Sequence, residues 1–259
     1  LADARIRNVQ RLRQAGITSP ITLIRTPMLS QTDQVVQHCE ASYNTELAVI
    51  AALASAAIRK DKVHGIILMV EMGDGREGIS PENVAEIAQE VMTMQGVALK
   101  GIGANFACLS GLAPTASQMA SLCDLANEIE AVCGPFLKTV SGGNSASLPW
   151  ALGRQSTGRI NDLRLLGVEP ITGDQIGGMH TDAFTLVAEI TETDKKPSPF
   201  PIAFVDPTLA RLHIVPTSGA AKRLILAIGH QDTDISVLSL PVGCTLIGAT
   251  SDHLVISSI

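Results

Sequence analysis

The sequence predicts an α/β fold, a parallel sheet arranged as a barrel or a doubly wound layer, with an all-β domain after it. Residues 3 to 155 alternate helical-period stretches with short apolar, β-branched runs, the pattern of repeated βα units. Beyond residue 175 the runs are short and β-like, divided by Pro, Gly and Asp, with no helical period between them. With 259 residues, 46% of them hydrophobic and 17% charged, the chain carries enough apolar material for a sizeable core. The change of texture near GDQIGG divides it into residues 1–175 and 176–259.

Each element follows from local pattern. DARIRNVQRLRQAG reads as a helix stopped by Gly16, and ITLIRTP as a strand. TDQVVQHC is a short helix opened by a Thr cap, ELAVIAALASAAIRK a longer helix, and HGIILMVEM a strand buried on both faces. SPENVAEIAQEVMTMQ places Ser80 at an N-cap and Pro81 at the first helical position, with VALKGIGANF as the next strand. PTASQMASLCDLANEIEAVCG is a helix ending near Gly134, and FLKTVSGG a strand. In the second domain FTLVAEITET, PIAFV, RLILAIG, TLIGA and HLVIS read as strands.

The charge pattern excludes some functions. Formal net charge is -6 and the Lys and Arg residues are scattered, so nothing forms a basic stripe for a nucleic-acid backbone. Aromatic residues are 3% of the chain, with only Trp150 and Tyr43 beside the phenylalanines, which removes base-stacking platforms and membrane belts. Cys39, Cys108, Cys123, Cys133 and Cys244 show neither a CxxC nor a histidine at metal spacing, so no disulfide framework and no metal site is expected, and a reducing cytoplasm fits. No apolar run is long enough to span a membrane, and LADARIRNVQ is not a secretion signal.

Three strand ends are rich in glycine: MGDGREGI, GIGANFACLSG and SGGNSAS. None has the dinucleotide or P-loop spacing, whereas bare backbone followed by Ser and Asn ahead of a helix suits a smaller phosphate, or else an ordinary capped turn.

Together ADARIRNVQRL, IRTPM, SYNTELAVI, ILMVEMGDGREGI, SGGNSASL, INDLR, GDQIGGMHTDAFTLVAEI, LILAIGHQD and LIGATSDHLVI resemble the ornithine-racemase branch of the alanine-racemase-like enzymes. The resemblance implies a (βα)8 TIM-type barrel, incomplete at its N-terminus in this chain, followed by a C-terminal all-β domain. It implies pyridoxal 5'-phosphate (PLP) as cofactor, an amino acid as substrate, and a homodimer with composite active sites. On this resemblance Asn144 and Ser145 meet the cofactor phosphate, and Arg164 faces the pyridine nitrogen, where a permanent cation keeps that nitrogen unprotonated. Arg76 lies near the cofactor phenolate and substrate carboxylate, Asn105 stands over the ring, and Asp74, Ser251 and Asp252 are expected at the substrate. His230 is expected to be the second base, offered by the neighbouring subunit, with Asp232 or Asp234 orienting it or meeting a cationic substrate side chain. His253 reads as a satisfied β-domain histidine.

The sequence departs from the family in three places. The Schiff-base lysine is expected upstream of Leu1 and is not in this chain, and Lys100 and Lys138 are expected to face outward or to sit at strand starts. INDLRLLGVEP is short of a phosphate-contacting segment, and the chain ends at Ile259 before a further cofactor contact. These differences suggest dropped segments rather than a degenerate homologue. A non-catalytic PLP-binding protein, or a decarboxylase or aldolase on the same scaffold, is the alternative reading.

Overall fold

The computed structural model describes residues 1–134, 137–153, 159–165, 169–180, 185–194, 202–206, 211–215 and 222–258. The chain forms two compact units, residues 1–181 and 182–259. The boundary expected after residue 175 falls a few residues short of this division.

Among the described residues the first unit holds seven parallel strands: β1 (Ala2–Asp3), β2 (Thr22–Leu23), β3 (Ala41–Asn44), β4 (His64–Val70), β5 (Val97–Ala104), β6 (Thr139–Asn144) and β7 (Asp162–Arg164). Each strand pairs with the next in chain order. That order selects the barrel, since a doubly wound sheet must reverse at a switch point. The connecting helices are α1 (Ile6–Gln14), α2 (Thr32–His38), α3 (Leu47–Arg59), α4 (Pro81–Thr93), α5 (Ala116–Cys133) and α6 (Leu148–Leu152).

Helix ends follow local chemistry. Gly16, at φ 83°, takes the left-handed conformation just past α1. Pro81 opens α4 as expected, with Ser80 at the cap position but without a side-chain cap bond. A capping box closes the start of α5: the Gln118 N–H donates to Thr115 Oγ1 at 3.2 Å, and Thr115 N–H to Gln118 Oε1 at 2.8 Å. The expected Thr cap of α2 is corrected. Thr32 is the first helical residue, and its hydroxyl donates backward to the Leu29 carbonyl at 3.1 Å.

Two apolar layers stabilise the barrel. Outside the sheet, Ile66, Leu68, Val70, Ile102 and Val140 pack with Ile50 and Leu53 of α3, Val84 and Val91 of α4, and Met119 and Leu122 of α5. Inside, Tyr43, Ile67 and Met69 form a second cluster. β4 is therefore buried along its whole length, which explains its unbroken apolar sequence. A buried polar group interrupts the outer layer: His64 Nε2 lies 2.9 Å from Ser42 Oγ, and Asn44 Nδ2 donates to the Ser42 carbonyl at 2.7 Å.

The sheet curls strongly. The Tyr43 hydroxyl donates to Asp162 Oδ2 at 3.4 Å, joining β3 to β7. In a flat sheet these strands, four places apart, would lie about 19 Å from each other. Gly103 makes room for this crossing, since a Cβ there would stand 2.9 Å from both Tyr43 Cε1 and Ser141 Cβ. An irregularity in the β4–β5 register leaves Lys100 unpaired between Leu99 and Gly101. Its stem lies over Gly65 beside Ala41, on the concave face, contrary to the outward orientation expected for it. Lys138 is exposed just ahead of β6.

The second unit contains β8 (Ile190–Asp194), β9 (Ile202–Asp206), β10 (Arg211–Val215), β11 (Lys222–Leu226), β12 (Cys244–Ala249) and β13 (Leu254–Ser258). Antiparallel β9 and β10 pair with each other, and the other four form a sheet in the order β12-β13-β11-β8. Ile228, Ile235, Leu254 and Ile256 are its buried core. The all-β expectation holds, with two local differences. In FTLVAEITET the described residues 185–189 are not strand, which begins at Ile190, and β10, whose apolar run is interrupted by His213, carries no clear signal in the sequence.

Candidate active site

The C-terminal strand ends of the first unit surround a cavity of about 440 Å³, within the usual range for a small-molecule site. Every strand contributes to its wall: Ala4 beyond β1, Ile24 and Arg25 beyond β2, Tyr43 of β3, Met69 of β4, Asn105 beyond β5, Ser141 and Asn144 of β6, and Arg164 of β7. The β4–α4 loop adds Arg76 and Glu77, and Cys108 lies on the β5–α5 loop.

The strand register explains the placement. Asn144 ends β6 after Gly143, whose φ is 84° and where a Cβ would come within 2.8 Å of the Ala104 carbonyl oxygen. Only glycine brings β6 this close to the end of β5. The Asn144 amide then bridges the loops: Nδ2 donates to Asn105 Oδ1 at 3.2 Å and to the Phe106 carbonyl at 2.6 Å, while Oδ1 accepts from the Ala146 N–H at 2.8 Å.

Arg164 Nε sits 3.0 Å from Asp162 Oδ2, an ion pair by distance. The alignment is not that of a hydrogen bond, and Nε remains buried without an acceptor among the described residues. Tyr43 is buried beside it, and burial is the main reason its phenol titrates above the usual range.

The three glycine-rich loops have different roles. In MGDGREGI the carboxylate of Glu71 accepts from Gly73 N–H at 2.7 Å, Gly75 N–H at 3.0 Å and Arg76 N–H at 3.3 Å. This loop already contains its own anion. Asp74 from the same loop is buried and does not line the cavity. Burial by itself would raise its carboxyl, but the N–H groups of Leu109 and Ser110, the Asn105 amide and the Arg76 charge outweigh that and hold it below the usual carboxylate range.

Arg76, Asn105, Asn144 and Arg164, all expected at the site, are thus brought to one cavity. Ser145 is buried next to Asn144 and is not part of the wall. Arg25, Tyr43, Glu77, Cys108 and Ser141 also line the cavity and were not anticipated. Glu77, Cys108 and Ser141 fall in the three glycine-rich strand ends and Arg25 follows the apolar run ITLI, whereas nothing in the sequence pointed to Tyr43.

In the second unit His230, Ser251 and Asp252 lie together. The His230 N–H donates to the Thr250 carbonyl at 2.9 Å and Gln231 N–H to the Ser251 carbonyl at 3.0 Å. Gly229 permits this approach, since a Cβ there would collide with the Ser251 and Asp252 backbone. His253 is exposed, its Nδ1 3.3 Å from Asp252 Oδ1.

Comparison with known proteins matches residues 1–161 to the model of the alanine racemase N-terminal domain. An ornithine racemase of Acetoanaerobium sticklandii is 38% identical over 98% of this chain and 74% of its own length. A lysine racemase of Thermotoga maritima is 32% identical over 99% of this chain and 73% of its own length. Among solved structures, an alanine racemase of Clostridium difficile 630 shares the fold with a TM-score of 0.66 at 17% identity, covering 99% of this chain and 68% of that one. No helix among the described residues is long and apolar enough to cross a membrane.

Proposed function

The chain belongs to the alanine racemase N-terminal domain family, and on that premise we propose that it is a PLP-dependent amino-acid racemase that acts on an amino acid with a cationic side chain. The observation that carries this reading is the cavity in which Arg76, Asn105, Asn144 and Arg164 converge. The donor set fits the cofactor: guanidinium groups and carboxamides suit an anionic, phosphate-bearing ring, and the buried Arg164 Nε still lacks an acceptor among the described residues. The turn at Asn144 would meet the phosphate, Arg164 would face the ring nitrogen, and Asn105 would cover the ring.

When bound, PLP supplies the electron sink that makes the substrate α-hydrogen acidic. The protein orients the substrate and moves the proton. Arg76 offers a planar donor fork to the substrate carboxylate, and the permanent charge of Arg164 disfavours protonation of its neighbour. His230 is the base on one face of the α-carbon, reached from the neighbouring protomer of a homodimer, and the Schiff-base lysine implied by the family serves the other face. We place the protein in the cytoplasm on the cysteine spacing, which matches neither a disulfide framework nor a metal site.

Borohydride reduction of the full-length protein with PLP, followed by peptide mapping and a chiral assay of ornithine and lysine, tests the proposal. A reduced lysine adduct and equal approach to the racemate from both enantiomers are expected. A bound cofactor with decarboxylated or cleaved product would replace the racemase reading by another reaction, and no adduct would remove the cofactor.

The choice of a cationic substrate rests on Glu77, the sole carboxylate among the described residues that line the cavity. It lies 3.7 Å from Arg76 and is partly exposed, so it can turn toward a distal ammonium. Glu77→Gln should lower kcat/KM for ornithine and lysine about tenfold and leave amino acids with neutral side chains unchanged. An equal loss for both classes would instead assign Glu77 to the support of Arg76.

A further inference from the structure

Two loops meet at Asp74, a third joins them through Asn105 and Asn144, and their hydrogen bonds have one direction. Asp74 Oδ1 accepts from the Leu109 N–H at 2.9 Å, the Ser110 N–H at 3.2 Å and the Ser110 hydroxyl at 3.4 Å. Asp74 Oδ2 accepts from Asn105 Nδ2 at 3.1 Å and lies 3.8 Å from Arg76 Nε. This carboxylate is buried behind the cavity wall, out of reach of a substrate ammonium in the cavity.

An ionised carboxylate only accepts, so the NH2 group of Asn105 must face it. The Asn105 oxygen then faces Asn144 Nδ2, at 3.2 Å. The Asn144 amide cannot reverse, because its Nδ2 also donates to the Phe106 carbonyl and its Oδ1 accepts from the Ala146 N–H. With an obligate acceptor at one end and an obligate donor at the other, the two amides have a single self-consistent orientation. The same contacts fix the strained turn between them, where Ala107 has a φ of 65°.

We propose that Asp74 is a positioning residue that sets which face of the Asn105 amide meets the cavity and holds the guanidinium of Arg76 over it. This deepens the racemase reading and rests on it for the identity of the ligand. The role assigned to Asp74 thereby differs from the substrate contact that the family resemblance implied.

The variant Asp74→Asn is nearly isosteric. Its oxygen can still serve the Leu109 and Ser110 N–H groups, but its NH2 then faces the NH2 of Asn105. Turning Asn105 passes the donor–donor clash on to Asn144, which cannot turn.

Two measurements on the full-length protein test the proposal. Without cofactor, amide hydrogen exchange across 105–110 should accelerate at least tenfold in Asp74→Asn, and unchanged exchange overturns the proposal whatever the protein binds. With PLP added, its Kd should rise about tenfold and the absorption maximum of the bound cofactor should shift, while the melting temperature stays within a few degrees. In an Asn105→Ala background the same substitution should change the Kd threefold or less, since the group it acts through is gone. Full additivity of the two substitutions overturns the proposal. Failure of the wild-type protein to bind PLP would defeat the racemase reading and leave the exchange result to decide the structural part.

Discussion

Replacing His230 with alanine should lower racemisation by about 10²- to 10⁴-fold, the usual worth of a general base, while the protein stays folded. The fold should survive because the imidazole is exposed and the frame that presents it is built from backbone. The His230 and Gln231 N–H groups bond to the Thr250 and Ser251 carbonyls, and Asp232 Oδ2 accepts from the Gly229 N–H at 3.0 Å. The hydroxyl and N–H of Ser236 hold the carboxyl of nearby Asp234 below the usual carboxylate range. If the other face keeps its lysine, the variant should still exchange the α-hydrogen of one enantiomer for deuterium in D2O with retention of configuration. Racemisation at the wild-type rate in both directions would show that His230 is not the second base.

Acid should destabilise the first unit through His64. Burial pushes its imidazole down to about 4, a hydrogen bond to the Cys39 backbone and the charge of Glu40 offsetting only part of that effect. In the unfolded chain the same group titrates near 6.5. Above that pH both states are neutral and the shift has no effect. As the pH falls from about 6.5 to about 4, the unfolded chain takes up a proton that the folded protein refuses, and the loss grows to about 3 kcal/mol. Denaturant unfolding at pH 7.5 and pH 4.5 should show this difference, and His64→Gln should remove that share of the pH dependence even where it lowers stability overall. Parallel pH dependences for the two proteins would mean that His64 is not the acid-labile group.

Much of the fold was legible because local and tertiary signals agree. α3 and β4 are strongly patterned, Pro81 marks the start of α4, and Gly16 and Gly134 stand just past their helices. Choosing a barrel over a doubly wound sheet needed strand order, a property of pairing that periodicity does not encode. Within the site Arg164 and Asn144 were expected from the family resemblance, and the fold puts each at the end of a strand. The hydrogen bonds of Asp74 could not be anticipated, since their donors lie 31 to 36 residues away and half of them belong to the backbone. Glu71 is a similar case: three glycine-rich loops look alike in composition, and only the fold shows that one of them is filled by a neighbouring carboxylate. Lys100 was misplaced because a break in register turns it toward the concave face.

The contact between Tyr43 and Asp162, separated by 119 residues, also has a kinetic meaning. A wall that closes between an early strand and a late one can form only after the intervening helices and strands have packed, so its entropy of closure is met late in folding. During synthesis, a nascent chain that ends before β7 can bury the outer apolar layer but has no Arg164 to complete the cavity. Capture of a cofactor therefore belongs to the last stage of maturation of this unit, after residue 164 has left the ribosome.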